Sequence, residues 1–157
     1  TGTYLLELIT QPTPGLDIDP SPDRERDWYD CTGFYSSVCL TPNPQWRHRF
    51  RTSWQTPWDV DVSLTWRYYH EVSGITGPNN LMPENQLDAT LPSEDYFDIA
   101  ANWAITDKAS VAFGINNVLD DNPSLSGSVG TVGNGNTYPQ TYDALGRYVF
   151  LRATVDF

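Results

Sequence analysis

Alternation of apolar and polar residues with a period of two dominates this chain, as expected for strands whose two faces meet different surroundings. The clearest case is Val60 to His70, where Val, Val, Leu, Trp and Tyr alternate with Asp, Ser, Thr, Arg and Tyr. No amphipathic helical pattern of useful length competes with it. The pattern predicts six antiparallel strands, which run from Tyr4 to Ile9, Trp46 to Thr56, Val60 to His70, Tyr96 to Ile105, Ala109 to Leu119 and Arg147 to Phe157.

The connections between these strands alternate between short and long. Pro57 to Asp59 joins the second and third strands, and Thr106 to Lys108 joins the fourth and fifth. The other three connections are long and rich in Gly, Pro, Asn and acidic residues. This asymmetry is typical of transmembrane β-barrels, whose periplasmic turns are short and whose extracellular loops are long.

Both short connections predict a pairing register that keeps apolar residues opposite apolar residues. A hairpin centred on Trp58 pairs Trp54 with Val62, Phe50 with Trp66, Ser53 with Ser63 and Arg51 with Thr65. A hairpin centred on Asp107 pairs Trp103 with Val111, Ala101 with Phe113 and Ile99 with Ile115. A shift of one residue in either hairpin would mix the faces, which supports both registers.

Composition excludes a transmembrane helix. The net charge is −11 and no run approaches the roughly 20 apolar residues that a spanning helix needs. A barrel is compatible with these values because its apolar residues are spread over alternate positions. Six Trp and nine Tyr are many for so polar a chain, and twelve Pro with eleven Gly favour turns.

Six strands are too few for a membrane barrel, since bacterial examples begin at about eight. The sequence also begins at Thr1 without an initiator Met or a signal peptide. We therefore expect residues 1–157 to form the carboxyl-terminal portion of a larger outer-membrane barrel. Its short turns and Phe157 would then be periplasmic, and its long loops extracellular.

Five stretches of the chain resemble a known family. Asn116 to Pro123, Gly135 to Tyr148 and the final strand resemble the end of a TonB-dependent outer-membrane receptor. Tyr29 to Cys39 and Thr41 to His48 are similar to the Cys-containing loop and descending strand of a large proteobacterial branch of that family. Arg152 departs from the pattern, since many members have Gly there.

The resemblance implies a barrel of about 22 strands with an amino-terminal plug inside it. Such receptors import a scarce nutrient, such as a siderophore, cobalamin or a glycan, with energy from the TonB–ExbB–ExbD complex. The implied partners are the plug and remaining strands, outer-membrane lipid, the barrel assembly machinery and a small-molecule or glycan substrate. Val155 and Phe157 would belong to the assembly signal. The printed residues contain neither a plug nor a TonB box, so this piece would supply wall and loops.

Cys31 and Cys39 lie in one long connection and are expected to form a disulfide. The oxidising periplasm and the resembling Cys-containing loop favour this over free thiols or a metal site. Their spacing is not that of a four-ligand zinc site. The sequence therefore predicts neither a metal nor a cofactor.

Arginines are concentrated on the predicted inward face of the strands. Arg49 falls opposite Arg67, a like-charge pair that requires a counter-charge. A plug contact is favoured, with an acidic neighbour or an anionic substrate as alternatives. The candidates for plug or substrate contact are Arg47, Arg49, Arg51, Arg67 and Arg152, accompanied by Glu7, Asp61, Asp98 and Asp156.

Acidic residues are concentrated in the long connections. They could recognise a cationic ligand, but a solvated loop surface is favoured, since carboxylates are common on exposed loops. Trp and Tyr near strand ends are likewise better interpreted as a membrane-interface belt than as sugar platforms. The acidic residues are Asp17, Asp19, Asp23, Glu25, Asp27, Asp30, Glu84, Asp88, Glu94, Asp120, Asp121 and Asp143.

The residues favour no enzymatic activity and no nucleic-acid partner. The two His are isolated, and Asp120 and Asp121 lie in a turn-like Asp-Asp-Asn-Pro context. Two other functions compete with a receptor. A soluble secreted β-sandwich, such as a carbohydrate-binding module, would use the aromatic residues as core and sugar platform. A passive porin would share the strands but lack a plug.

Overall fold

The structure is a computed structural model, and it describes residues 3–12, 17–18, 29–37, 39–77, 80–127 and 133–157. These residues form strands, turns and loops, with no helix among them. The strands are β1 (Thr3–Pro12), β2 (Asp17–Ile18), β3 (Tyr29–Asp30), β4 (Phe34–Tyr35), β5 (Trp46–Gln55), β6 (Val60–Tyr69), β7 (Val72–Gly77), β8 (Asn80–Leu81), β9 (Thr90–Leu91), β10 (Glu94–Thr106), β11 (Ala109–Asn116) and β12 (Tyr148–Val155).

The six long strands form one antiparallel sheet in the order β1-β5-β6-β10-β11-β12. This confirms the six strands that the alternation predicted, and each pairs with the next one along the chain. The predicted registers are also confirmed, with Phe50 opposite Trp66 and Ala101 opposite Phe113. Turn length and face matching therefore suffice to set the pairing.

The strand boundaries differ from prediction at several ends. β1 and β10 extend beyond the predicted segments at both ends, whereas β11 stops at Asn116 instead of Leu119. Asn117 ends β11 because its backbone is left-handed, with φ of 51°. Its side chain donates to the Asp121 carbonyl and accepts from the Asp121 amide, at 2.8 and 3.0 Å. These two hydrogen bonds stabilise the turn at Asn117, so β11 ends there although apolar alternation continues in the sequence.

Short strands that the sequence did not predict organise the long connections. β4 pairs with β7 in parallel, and β7 also pairs with β8 and β9. β2 pairs with β3. Because β5, β10 and β12 begin at the end of the sheet where β6 and β11 finish, these connections meet at one end, which we call the loop layer.

The main buried cluster of the described residues lies in the loop layer and not on the apolar face of the sheet. It combines Tyr35, Val72, Leu91, Tyr138 and Tyr142, with Tyr69 packed against it. Residues on the apolar face of the sheet are open instead: Leu64 is 41% exposed, Trp103 50% and Leu151 74%. Most of the largest buried side chains therefore lie in the loop layer, whereas several large apolar side chains of the sheet are exposed.

Gly114 makes room for an aromatic ring on the polar face of the sheet. It pairs with Phe150 across β11 and β12. A Cβ on Gly114 would overlap the Phe150 ring and lie 3.2 Å from the Ile99 carbonyl oxygen. The ring therefore covers backbone that a side chain would otherwise occupy.

We predict that Gly114→Ala lowers the free energy of unfolding by about 1 to 3 kcal/mol, because the added methyl group overpacks against Phe150. The same substitution should cost little in a Phe150→Ala background, where the ring is gone. Equilibrium urea unfolding of the four proteins measures this coupling. Gly127→Ala is the control, since its Cβ would meet nothing within 4 Å. An equal cost of Gly114→Ala in both backgrounds would contradict the packing argument.

Candidate functional site

The polar face of the main sheet gathers most of the predicted site residues. Residues directly opposite in a sheet share a face, so the pairing of Arg49 with Arg67 places the β5 and β6 arginines together. Asp98 joins them from β10, and Arg152 lies farther along on β12. The predicted common face of the four β5 and β6 arginines is therefore confirmed within the sheet.

Arg67 is the centre of a charged cluster. Its Nε and Nη2 donate to the two carboxylate oxygens of Asp98 at 2.9 and 2.8 Å. Nη2 also donates to Asp143 Oδ2 at 2.8 Å. Tyr96, directly opposite Arg67 on β10, places its ring 5.1 Å from the guanidinium carbon. We call Arg67, Tyr96, Asp98 and Asp143 the Arg67 cluster.

The register between β6 and β10 explains this geometry. Since Tyr96 pairs with Arg67, Asp98 is its diagonal neighbour on the same face, within reach of a long side chain. A planar guanidinium then binds the carboxylate through two parallel hydrogen bonds. The side chains of Arg67 and Asp98 are only 22% and 17% exposed, so solvent screens the pair incompletely.

The Arg67 cluster supplies a counter-charge for Arg67, one of the two arginines in the like-charge pair with Arg49. Of the three sources of counter-charge that the sequence left open, the structure shows acidic neighbours for Arg67. Two carboxylates meet one guanidinium, so Arg67 needs no plug or substrate for neutralisation. Sequence reasoning placed Asp98 on the correct face but assigned Asp143 to a solvated loop.

The same cluster ties the final long connection, residues 117–147, to the sheet. Asp98 Oδ1 accepts a hydrogen bond from the Asn117 amide at 2.9 Å, where this connection starts. Asp143 reaches Arg67 from near its end. The Arg147 amide donates to Asp120 Oδ1 at 2.8 Å, which joins the two ends directly. Both ends of the connection are therefore fixed by charge-assisted hydrogen bonds.

Arg47, Arg49 and Arg51 stand apart from that cluster. All three are exposed on the polar face of β5. In the part of the chain that the structure describes, none of them forms an ion pair. Arg51 makes only a long contact of 3.4 Å from Nη2 to Ser63 Oγ. Their donor groups are thus available to an anion.

A layer of tyrosines lies over the Arg67 cluster. Tyr69 packs edge-on against Tyr96 and Tyr142, and Tyr35 packs edge-on against Tyr138. Burial raises the pKa of Tyr142 and of Tyr138 above the usual tyrosine range. The neutral phenols therefore stabilise this layer below about pH 10, and that contribution is lost as the pH rises through the elevated pKa values.

Asp88 is the most deeply buried carboxylate of this layer. Its oxygens accept from Gln86 Nε2 at 3.1 Å and from Ser126 Oγ at 2.9 Å. Its carbonyl accepts a hydrogen bond from the Tyr35 hydroxyl. These contacts join three of the long connections. Asp88 was predicted as a loop acid, and its structural role was missed because its partners are distant in sequence.

The predicted disulfide between Cys31 and Cys39 is confirmed, with a Cα–Cα distance of 5.6 Å. Both cysteines are buried and pack with Ile75 of β7, and Phe34 lies against them. Because β4, inside the closed ring, pairs with β7, the disulfide and the parallel strand pair stabilise the same part of the loop layer.

An aromatic group lies on the opposite, apolar face, near the loop layer. Trp46 Nε1 donates to His48 Nδ1 at 3.0 Å. The His48 ring stacks on Tyr68 at 5.3 Å and meets the edge of Trp66 at 4.5 Å. At the other end of the sheet, Trp103 lies on the same face and Trp58 lies in the turn between β5 and β6, and both are largely exposed. This agrees with aromatic residues gathered near strand ends.

The remaining candidate site residues, Arg152, Val155 and Phe157, do not lie together in one site. Arg152 is exposed on the polar face opposite Ala112, and Val155 is exposed on the apolar face opposite Ala109. Phe157 follows β12 and is exposed. Of the acidic residues in the first long connection, Asp19, Asp23, Glu25 and Asp27 lie outside the described residues.

Within the described ranges, no group of three or more His, Cys, Asp or Glu side chains could hold a metal ion. A helix of sufficient length and apolarity to cross a membrane is likewise not found among those residues. No protein-family model, curated protein or solved structure matches the chain.

We predict that Asp143→Asn loosens the final connection without unfolding the sheet. Losing a partly buried charge-assisted contact should lower the stability of this connection by about 1.5 to 3 kcal/mol. Hydrogen exchange should become faster over residues 117–147, with little change in β5, β6 and β10. Asp98→Asn should have the larger effect, since Asp98 has three hydrogen bonds in the site. The exposed Asp107→Asn is the control, and an equal response from it would contradict this account.

We also predict that neither cysteine reacts with a maleimide unless the protein is first reduced. The closed ring is short, so the disulfide should stabilise its segment by about 2 to 3 kcal/mol. Reduction should therefore speed hydrogen exchange in residues 31–39 and β7 and leave β10 to β12 unchanged. Labelling of the unreduced, denatured protein at both cysteines would refute the disulfide.

Proposed function

We propose that this chain forms part of the wall and surface loops of an outer-membrane β-barrel of the TonB-dependent receptor type. The observation that carries the proposal is the inverted sheet, whose apolar face is uncovered while its charged face holds the buried contacts. A protein in water seldom leaves so continuous an apolar surface exposed. In a barrel wall that face would contact lipid and the arginines would point into the lumen.

Strand length supports this proposal over a soluble sandwich. β5 and β6 have 10 residues each and β10 has 13, whereas strands in soluble domains most often have about 5 or 6. A strand of 10 residues rises about 33 Å, and a tilt of about 40° reduces its height to about 25 Å. That is the height of the apolar band on outer-membrane barrels.

The aromatic residues agree with a membrane position. Trp46 and Trp54 lie on the apolar face at opposite ends of β5, about 27 Å apart along the strand and about 20 Å apart in height after tilt. Barrels have aromatic girdles at both interfaces because these rings combine an apolar body with a polar group. Trp58 and Trp103 would extend the periplasmic girdle.

The resemblance at Asn116 to Pro123 and Gly135 to Tyr148 supports a receptor in preference to a passive porin. It implies a plug, the remaining strands, and energy from TonB, ExbB and ExbD. In the described sheet, the outer edges of β1 and β12 pair with no other strand, so further strands could continue from both. Loops that are tied by ion pairs and a disulfide would present a defined surface to a nutrient.

A single substitution distinguishes a lipid-facing sheet from a water-facing one. Leu151 is 74% exposed, so Leu151→Arg should be nearly neutral in a soluble protein. In a barrel wall it places a cation in lipid near the middle of β12, which costs about 2 to 4 kcal/mol. We predict that Leu151→Arg lowers the amount of protein recovered in the outer-membrane fraction.

Asn102→Arg is the matched control, because Asn102 is exposed on the polar face opposite Asp61. It should reach the membrane at the level of the unmodified protein. Equal recovery of both variants, or a protein that stays soluble without detergent, would rule out the proposed membrane wall. A plug and a TonB box in the upstream coding sequence would separate an active receptor from a porin.

A further inference from the structure

Arg47, Arg49 and Arg51, which we call the arginine row, are an unusual concentration of positive charge in an acidic chain. The protein has 20 acidic residues and nine Lys and Arg in total. Three of those nine lie on one face of one strand. Their alternation makes this unavoidable, because residues two apart in a strand point the same way.

Among the described residues, the arginine row differs from Arg67 in its charged partners. Arg67 lies opposite Arg49 and binds two carboxylates. The arginine row has no ion pair within the described part of the chain, although Glu7 of β1 is the register partner of Arg51. Like charges that are held together without neutralisation favour an anion from outside.

The geometry of the row suits an elongated ligand. Alternate residues of a strand are about 7 Å apart, so the three arginines extend over about 13 Å. Each guanidinium can bind a carboxylate, phosphate or sulfate group through a pair of parallel hydrogen bonds. Tyr69 is opposite Arg47 and Thr65 is opposite Arg51, which adds polar groups on β6.

Charge varies along the polar face of the sheet. The arginine row occupies the half of β5 next to the loop layer. At the opposite end, Asp59, Asp107 and Asp156 lie around a cavity of about 450 Å³ that also includes Lys108. The positive charge of β5 is therefore concentrated in one half of the strand, away from these three carboxylates.

We propose that the arginine row binds an elongated oligoanion, with carboxylate, phosphate or sulfate groups that recur along its length. The expectation that the ligand enters from the loop layer rests on the proposed function. The binding itself rests only on the row. The ligand class that we propose for the polar face of the sheet is therefore a negatively charged oligomer.

The test uses the intact protein, purified from its natural gene in detergent, and isothermal titration calorimetry. A fully sulfated tetrasaccharide and tetrapolyphosphate are the probes, and the unsulfated tetrasaccharide is the neutral control. Both anions should bind, and binding should weaken as ionic strength rises. The stronger of the two identifies the anionic group that the row prefers, and no heat should be observed with the neutral sugar.

The triple variant R47Q/R49Q/R51Q should bind the anions at least tenfold more weakly. R147Q is the matched control, since Arg147 is an exposed arginine that lies outside the row, just before β12, and it should change the dissociation constant less than twofold. If the triple variant does not fold, each single substitution should still weaken binding about threefold. The urea midpoint and the intact disulfide verify folding.

Absence of anion binding, or an equal loss in R147Q, would overturn the proposal. Tighter binding of an acidic hexapeptide than of either probe would overturn it in favour of a polypeptide partner. The proposal that the chain forms a membrane wall is tested separately, by membrane fractionation and detergent dependence. If that proposal fails, the anion titration still tests the arginine row.

Discussion

The register between β5 and β6 is the constraint on which the rest of this structure depends. Strand side chains alternate between faces, so a shift of one residue would move Arg47, Arg49 and Arg51 to the apolar face. A shift of one residue between β6 and β10 would likewise take Arg67 away from Asp98. The turn around Trp58 sets this register, and face matching along both strands maintains it.

From that register follows a division of the molecule into two surfaces with different chemistry. One carries open apolar side chains with aromatic residues towards its ends. The other carries charge, and packed tyrosines cover it where β6 and β10 meet the loop layer. The buried core thus lies where the long connections meet the polar face, and this arrangement is the physical basis for the membrane position that we propose.

The Arg67 cluster links the main sheet to the final long connection. A cross-strand diagonal brings Asp98 to Arg67, and a loop carboxylate, Asp143, completes the site from a distance of 76 residues along the chain. The resulting contacts order the final connection against the sheet, while the arginine row beside them remains open. Within the described residues, an arginine with two carboxylate partners therefore adjoins three arginines without an ion pair on one face of the sheet.

Periodicity and turn length in the sequence determined the six long strands, their order, both hairpin registers and the face of every arginine in β5 and β6. These are local properties, because alternation and a short turn act between near neighbours. The Cys31–Cys39 pair was also readable, since its spacing allows few alternatives. Only the tertiary structure decided the end of β11 at Asn117, the short strands of the loop layer, and the recruitment of Asp88 and Asp143 into buried contacts. The contacts of Asp88 and Asp143 join groups that are remote in sequence, so no local pattern records them. The end of β11 depends on the backbone conformation and side-chain hydrogen bonds of Asn117, which apolar alternation does not reveal.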